Sequence, residues 1–260
     1  MVDLKYVNDA LYKYVRLQTH PVAVRMCTSV DEIPEDAQFP KRDLGIVMPM
    51  CQAFAMAYRR GWTMALGLED QSCPLGNVVL GFLKAKQAFL DGSFHWSWLP
   101  PGEPNAKYAQ SLERLEYGKY SHILMAPIDK TTFEPHFFFI YGNPGQVVRM
   151  VQGRLFLQGG QLSSSAGLGG SCSLIVSQTM LADECQYILL GSGPRRFAHA
   201  QDHEMVFTIP ISKVDLVIRG MEESETRSTY TYPPPVSLIY EVEMPPRYQK
   251  LQEFLLQEGD

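Results

Sequence analysis

The sequence lacks the features that mark several common classes of protein. It has no apolar run approaching the roughly 20 residues that a membrane-spanning helix requires, and no long run of like charge. With 23 Lys and Arg against 28 Asp and Glu, the net charge is -5, which gives no basic surface for a nucleic acid. The first 18 residues predict an amphipathic helix instead of a signal peptide. We therefore expect a cytoplasmic protein that binds neither membranes nor nucleic acids.

Several cofactor motifs are also missing. There is no C-x-x-C pair, no H-E-x-x-H, and neither a G-x-x-x-x-G-K-[ST] nor a G-x-G-x-x-G loop. The Gly/Ser-rich stretch 162–170 therefore does not indicate nucleotide binding, and a loop that covers a substrate fits it equally well. His199 and His203 have the i, i+4 spacing of helical metal ligands, but without the rest of the motif this is a weak signal.

What is present indicates an ordinary folded interior. Hydrophobic residues make up 45% of the chain and charged residues 20%, with 13 Tyr, 13 Phe and 3 Trp to fill a core. A chain of 260 residues is near the upper limit for one core. We predict a single domain over residues 1–260. Five cysteines without a secretory signal predict reduced thiols.

Helical and strand-like patterns alternate along the chain. The spacing of apolar residues predicts helices over 3–18, 51–60, 77–90, 106–116 and 143–160, and strands over 20–27, 61–68, 120–128 and 135–142. Residues 229–260 are predicted to form a Pro-rich surface connection and a C-terminal helix. The alternation predicts an α/β or α+β fold with a mixed β-sheet.

Two parts of the sequence show the same order of patterns. Cys51 begins a predicted helix that is followed by a strand and a loop, and Cys172 begins a second such series. Cys51 and Cys73 are 22 residues apart, while Cys172 and Gly193 are 21 apart. This similarity predicts an internal duplication of 20–90 and 135–210, with a Cys-led helix in each half. Only the spacing supports it, because the residue identities hardly match.

Three cysteines form the main candidate site. Cys51 and Cys172 are predicted in first turns of helices, where the helix dipole favours a thiolate. Cys73 lies in the turn "SCPLG" and can approach the same point. Three thiolates suit an iron–sulfur cluster, such as a four-iron four-sulfur cluster with one open iron, or a zinc ion with an open position. Alternatively, all three are core residues and no cofactor binds.

The remaining cysteines and the densest polar run complete the candidates. Cys27 and Cys185 lie within or beside apolar strand patterns and are predicted to be core residues. In "GSGPRRFAHAQDHEMVFTIP" (191–210), Arg195 and Arg196 could clamp a carboxylate or a phosphate, and Asp202 could orient them or act as a base. An ion-pair network on a surface loop explains the same residues without catalysis.

The order of several short blocks resembles a known family. "HPVAVRM", "CQAFAMAYRRG", "EDQSCPLG", "YGNPGQVVRMVQG", "GGSC" and "GSGPRRFAHAQDHEMVFTIP" are similar, in this order, to the prokaryotic domain of unknown function family 169 over about residues 15–220. The resemblance implies a cytoplasmic protein, often from anaerobes and archaea, in which cysteines matching Cys51, Cys73 and Cys172 recur. Relatives often carry an acidic residue or a cysteine where Ser192 or Pro194 stands here. This difference implies an open position in a metal site.

These observations lead to three functional hypotheses. The first is a metal- or iron–sulfur-dependent enzyme that acts on a small anionic molecule. The second is a binding module that holds a ligand or cofactor in the same cleft without catalysis. The third is a hydrolase with Cys172 as nucleophile and His199 or His203 as base. The sequence leaves the substrate, the reaction and the formation of a homo-oligomer open.

Overall fold

A six-stranded sheet forms the centre of the molecule. The structure is a computed structural model, and it describes residues 2–95, 97, 99–227, 230–235 and 243–257. The strands are β1 (Val22–Cys27), β2 (Met64–Gly67), β3 (His122–Pro127), β4 (Phe137–Gly142), β5 (Gln186–Leu189) and β6 (Met205–Pro210), in the spatial order β2-β3-β1-β4-β6-β5. Every pairing between these strands is antiparallel.

Helices cover both faces of the sheet. In the described residues they are α1 (Leu4–Val15), α2 (Pro40–Leu44), α3 (Met50–Arg60), α4 (Pro74–Val79), α5 (Gln87–Leu90), α6 (Glu103–Ser111), α7 (Pro144–Phe156), α8 (Thr179–Ala182), α9 (Ser192–Ala198), α10 (Val214–Glu225) and α11 (Pro246–Leu256). A π-helical segment, Ser173–Gln178, leads directly into α8. Helices α1, α7 and α10 pack on one face, while α3 and the π-helical segment pack on the other.

Strand β4 shows why both faces need cover. All six residues of its sequence "FFFIYG" are buried. Phe137 and Phe139 join the hydrophobic cluster under α3, whereas Phe138 and Ile140 join the cluster under α7 and α10. Because alternate side chains of a strand point to opposite faces, an unbroken apolar run is stable only between two layers.

The sheet has an approximate twofold pattern around its central pair, β1 and β4. In the first half Val22 is opposite Pro127, and in the second half Phe137 is opposite Pro210. Each proline ends its strand and is followed by a 3₁₀ turn, with the sequences IDK and ISK. The sequences PIDK and PISK thus occupy corresponding places.

The edge strands follow the same pattern. Met64 of β2 is opposite Met125, two residues before the proline that ends β3. Gln186 of β5 is opposite Thr208, two residues before the proline that ends β6. The register of three strands in one half is therefore reproduced by three strands in the other.

The structure confirms the predicted fold class and corrects some of its elements. The predicted mixed β-sheet is wrong, because every pairing between the described strands is antiparallel, and α+β is the closer description of the class. The continuous helix predicted over 77–90 is wrong, because α4 ends at Val79 and α5 begins only at Gln87. Gly81 between them has a φ of 75°, and a Cβ there would lie 2.5 Å from the carbonyl oxygen of Glu116. Strand β6 and helix α10 had no counterpart among the predictions.

The described residues from 230 onward contribute no buried side chain to the core. Helix α11 confirms the predicted C-terminal helix, and all its residues are at least partly exposed. The predicted Pro-rich connection lies largely outside the described residues. In the part of the chain that the structure describes, no helix has both the length and the apolar character needed to cross a membrane.

Candidate functional site

Three of the five cysteines line one cavity on the α3 side of the sheet. The cavity has a volume of about 300 Å³, and Cys51, Cys73 and Cys172 all contribute to its wall. Apolar side chains including Phe54 and Ile175 make up much of the rest. The other two cysteines, Cys27 and Cys185, are fully buried in separate hydrophobic clusters, as the sequence predicted.

Backbone pairing brings the segments of Cys51 and Cys73 together. The N–H of Met48 donates to the carbonyl of Asp70 over 3.0 Å, and the N–H of Ser72 donates to the carbonyl of Met48 over 3.1 Å. Helix α3 then begins at Met50, so Cys51 lies in its first turn. Cys73 occupies the N-cap position of α4 without a capping bond from its side chain, where the sequence predicted a turn.

A close contact fixes α4 against the segment that precedes it. The Gln71 Nε2 donates to Asn77 Oδ1 over 2.8 Å, and both side chains are buried. A Cβ on Gly76 would lie 2.0 Å from Gln71 Oε1, so only glycine fits without displacing that side chain. This packing sets the position of Cys73 relative to the sheet.

The π-helical segment positions Cys172, which immediately precedes it. Ser173 Oγ donates to the carbonyl of Glu113 over 2.7 Å, and Ser177 Oγ donates to the carbonyl of Val79 over 2.8 Å. The second of these bonds joins the helix of Cys172 to the helix that Cys73 begins. π-Helical turns are rare and occur frequently at functional sites. No pattern in the sequence predicted a π-helical turn at this position.

Ser171 connects the wall of the cavity to helix α9. Its Oγ accepts a hydrogen bond of 3.1 Å from the N–H of Gly191, the residue that caps α9. This bond holds the start of α9 beside Cys172. Residues from four helix starts therefore line the cavity: Cys51 at α3, Cys73 at α4, Cys172 at the π-helical segment, and Ser192 at α9.

Burial, not the helix dipole, dominates the electrostatics of the thiols. Desolvation raises the pKa of Cys51 to about 11 and that of Cys172 to about 12, and the neighbouring thiols add to both shifts. The expectation that helix starts make these groups thiolates is therefore wrong for the protein without a bound cation. A bound metal ion would reverse this balance, because coordination deprotonates a thiol outright.

The predicted catalytic residues separate in the structure. Arg196 lines the cavity. Arg195 instead forms an ion pair with the exposed carboxylate of Asp202 and donates from Nε to the carbonyl of Leu190 over 3.2 Å. Neither Arg195 nor Asp202 is among the residues that line the cavity. Their catalytic roles stay predictions, and a surface ion pair is what the structure places there.

Tyr108 is a cavity residue that the sequence did not reveal. It lies on α6, is 8% exposed, and lines the same cavity as the three thiols. Burial, together with the proximity of Cys172 and Cys73, raises the pKa of its phenol to about 12. Tyr108 therefore presents a protonated hydroxyl at neutral pH. The sequence carries no signal for this role beyond an aromatic residue in a predicted helix.

No described histidine lines the cavity. His199 ends α9 with a φ of 52° and lines a separate open groove with Arg59 and Arg60. His203 lies on the surface turn before β6. Across the described ranges of the chain, no group of three or more His, Cys, Asp or Glu side chains is arranged to hold a metal ion.

Comparison with known proteins agrees with the resemblance predicted from the sequence blocks. The model of the family of uncharacterised ArCR proteins, domain of unknown function family 169, matches residues 10–220, and the chain belongs to this family. The uncharacterised protein MJ0308 of Methanocaldococcus jannaschii is 23% identical over 205 residues, which cover 77% of this chain and 86% of that protein. No solved structure gives a significant match.

Proposed function

We propose that this protein is a metal- or iron–sulfur-dependent enzyme that acts on a small anionic molecule, with Cys51, Cys73 and Cys172 as ligands. One observation supports this proposal above all. Three cysteines that are far apart in sequence line the same cavity, whereas the two others are buried elsewhere.

The chemistry of the donor set favours a soft metal centre. Thiolates select zinc, copper(I) and iron–sulfur clusters over hard cations, and none of the described residues that line the cavity is an aspartate, a glutamate or a histidine. The described thiols are not arranged to share a single ion. An iron–sulfur cluster does not require its cysteines to share one ion, because they ligate separate irons.

The chain's own residues supply the surroundings of such a centre. A cluster with three thiolate ligands would offer one iron for electron transfer or Lewis-acid chemistry. Cys51, in the first turn of α3, lies where the positive end of that helix favours anions. Arg196 adds a cation at the cavity wall. Tyr108 adds a polar aromatic side chain to the same wall.

The two alternatives differ in support. A binding module would use the same cavity, and it predicts a bound cofactor without turnover of small acids. The hydrolase would need a base within hydrogen-bond reach of Cys172. Because no described histidine lines the cavity, neither His199 nor His203 meets that requirement in this geometry.

Metal analysis of protein purified without oxygen tests the proposal. Iron, acid-labile sulfide and zinc should be measured per chain, together with the absorption spectrum. We expect a brown protein with iron and sulfide in equal amounts. A colourless protein free of iron and zinc after anaerobic expression and reconstitution contradicts the proposal.

We also infer that the two halves of the sheet descend from an internal duplication, as the cysteine spacing suggested, with a first half that includes β3 and so extends beyond the predicted 20–90. The repeated strand register and the corresponding PIDK and PISK sequences support this inference. In such an arrangement α3 corresponds to the helix that follows Cys172, and α4 corresponds to α9. The cavity would then lie where the two halves meet, with three thiol-bearing helix starts and a fourth that carries Ser192.

A further inference from the structure

Helix α9 forms the side of the cavity that is most exposed to solvent. The exposed residues among those that line the cavity are Ser192, Arg196 and Phe197, and all three belong to α9. The other lining residues are buried or partly buried. A ligand that enters from solvent therefore meets α9 first.

Arg196 is the one formally charged residue among the described residues that line the cavity. Its guanidinium lies 5.7 Å from the ring centre of Phe197, and no ion pair found in the described part of the chain involves it. Its neighbour Arg195 forms an ion pair with the carboxylate of Asp202. Of two adjacent arginines, one is therefore paired on the surface and the other presents its charge at the mouth of an apolar cavity.

The size and lining of the cavity restrict what such a charge can recognise. A volume of about 300 Å³ is at the small end of the range for ligand sites. One guanidinium can pair with a carboxylate through two parallel hydrogen bonds. No second cationic side chain is among the described lining residues, so a single guanidinium faces a largely apolar wall, which suits a monovalent carboxylate with a short apolar body.

We propose that the α9 side of the cavity is a carboxylate subsite, in which Arg196 binds the carboxylate of a small acid whose short apolar body enters the cavity toward the thiols. Calling this acid a substrate depends on the proposed function. The preference for a carboxylate does not, because it requires only the cavity and the charge of Arg196.

Two alkylating reagents of similar size test this preference on the metal-free full chain. Iodoacetate carries a carboxylate, whereas iodoacetamide carries a neutral amide. With either reagent the cysteine sulfur displaces iodide and forms a carbon–sulfur bond, while the buffer takes the thiol proton. The measured quantity is the ratio of the two rate constants at Cys51, Cys73 and Cys172, determined by mass spectrometry. Differences in thiol reactivity affect both reagents and cancel in the ratio.

We expect Arg196→Gln to lower the iodoacetate to iodoacetamide ratio about two- to fivefold, the size of a partly exposed charge interaction. Arg195→Gln is the matched control, and it should leave the ratio unchanged because Arg195 does not line the cavity. Added salt should weaken the preference of the wild type. Equal ratios in the wild type and Arg196→Gln, or an equal drop in Arg195→Gln, overturn the proposal.

A second measurement does not depend on thiol reactivity. Butanoate should raise the Tm of the wild type and of Arg195→Gln more than butanamide does, and this difference should vanish in Arg196→Gln. A difference that persists in Arg196→Gln, or that is absent in the wild type, overturns the subsite. Metal content is measured separately. If the protein holds no metal but still prefers the carboxylate, the proposed function is rejected. If it holds metal but shows no preference for the carboxylate, only the subsite is rejected.

Discussion

The N–H of Ser72 donates to the carbonyl of Met48 over 3.1 Å. Met48 lies three residues before Cys51, and Ser72 lies one residue before Cys73. The bond therefore holds two of the three cavity cysteines in place through the backbone, without help from any ligand. Ser177 extends this arrangement to the helix of Cys172 by donating to the carbonyl of Val79 in α4.

Gly76→Ala tests the contact that positions α4. The added methyl group would lie 2.0 Å from Gln71 Oε1, and moving this buried amide would break its hydrogen bond with Asn77. We expect the free energy of unfolding to fall by about 1–3 kcal/mol. Urea unfolding measures the change.

Gly193→Ala is the control for this prediction. Nothing lies within 4 Å of a Cβ built at Gly193, which is also helical. Its free energy of unfolding should stay within about 1 kcal/mol of the wild type, since alanine favours a helix over glycine. If both variants were equally stable, the contact between Gly76 and Gln71 would not constrain the fold.

Glu32 predicts a specific dependence of stability on pH. Hydrogen bonds from the Thr28 hydroxyl and from Arg25 lower the pKa of Glu32 from 4.5 to about 2. The pKa of Glu32 is lower in the folded protein than in the unfolded chain, so the ionised carboxylate stabilises the fold at any pH above 4.5. This stabilisation is lost as the pH falls from 4.5 towards about 2. Glu32→Gln should therefore be less stable than the wild type at neutral pH.

The difference between Glu32→Gln and the wild type should shrink as the pH falls to about 3. Urea unfolding at several pH values measures it. Glu134→Gln removes an exposed acid near Arg25 and serves as the control for the loss of one negative charge. A penalty for Glu32→Gln that stays constant with pH would contradict the assignment.

The two halves of the sheet should unfold together. Strands β1 and β4 pair at the centre, and one hydrophobic cluster contains Val24 and Met125 from the first half with Ile175 and Val206 from the second. After limited proteolysis in the largely exposed loop 159–168, the fragments should therefore elute together and show one urea transition. Separate fragments that each remain folded would show that the core is not shared.

The sequence predicted those elements whose signal is local. The strand pattern at 135–142 corresponds to β4, and the start predicted at Cys51 is one residue from the start of α3. The predicted helix over 77–90 failed because its interruption depends on Gly81, where the carbonyl of a distant residue, Glu116, leaves no room for a Cβ. Nothing within 77–90 records that contact.

The candidate site was predictable only in part, for a similar reason. Spacing and the family resemblance singled out the three cysteines that line the cavity. They could not separate Arg195 from Arg196, because adjacent residues of a helix point about 100° apart and the sequence does not show which of the two directions faces the cavity. Nor could they find Tyr108, since its role depends on where α6 packs.

Metal content per chain of five single variants, purified without oxygen, tests the central claim most directly. Cys51→Ser, Cys73→Ser and Cys172→Ser should each lose the iron and sulfide, because a hydroxyl is a far poorer ligand than a thiolate. Cys27→Ser and Cys185→Ser should keep the full content and lose only about 1 kcal/mol of stability. The account is contradicted if the wild type holds no metal, if all five variants keep their full content, or if Cys27 or Cys185 is as necessary as the three cysteines of the cavity.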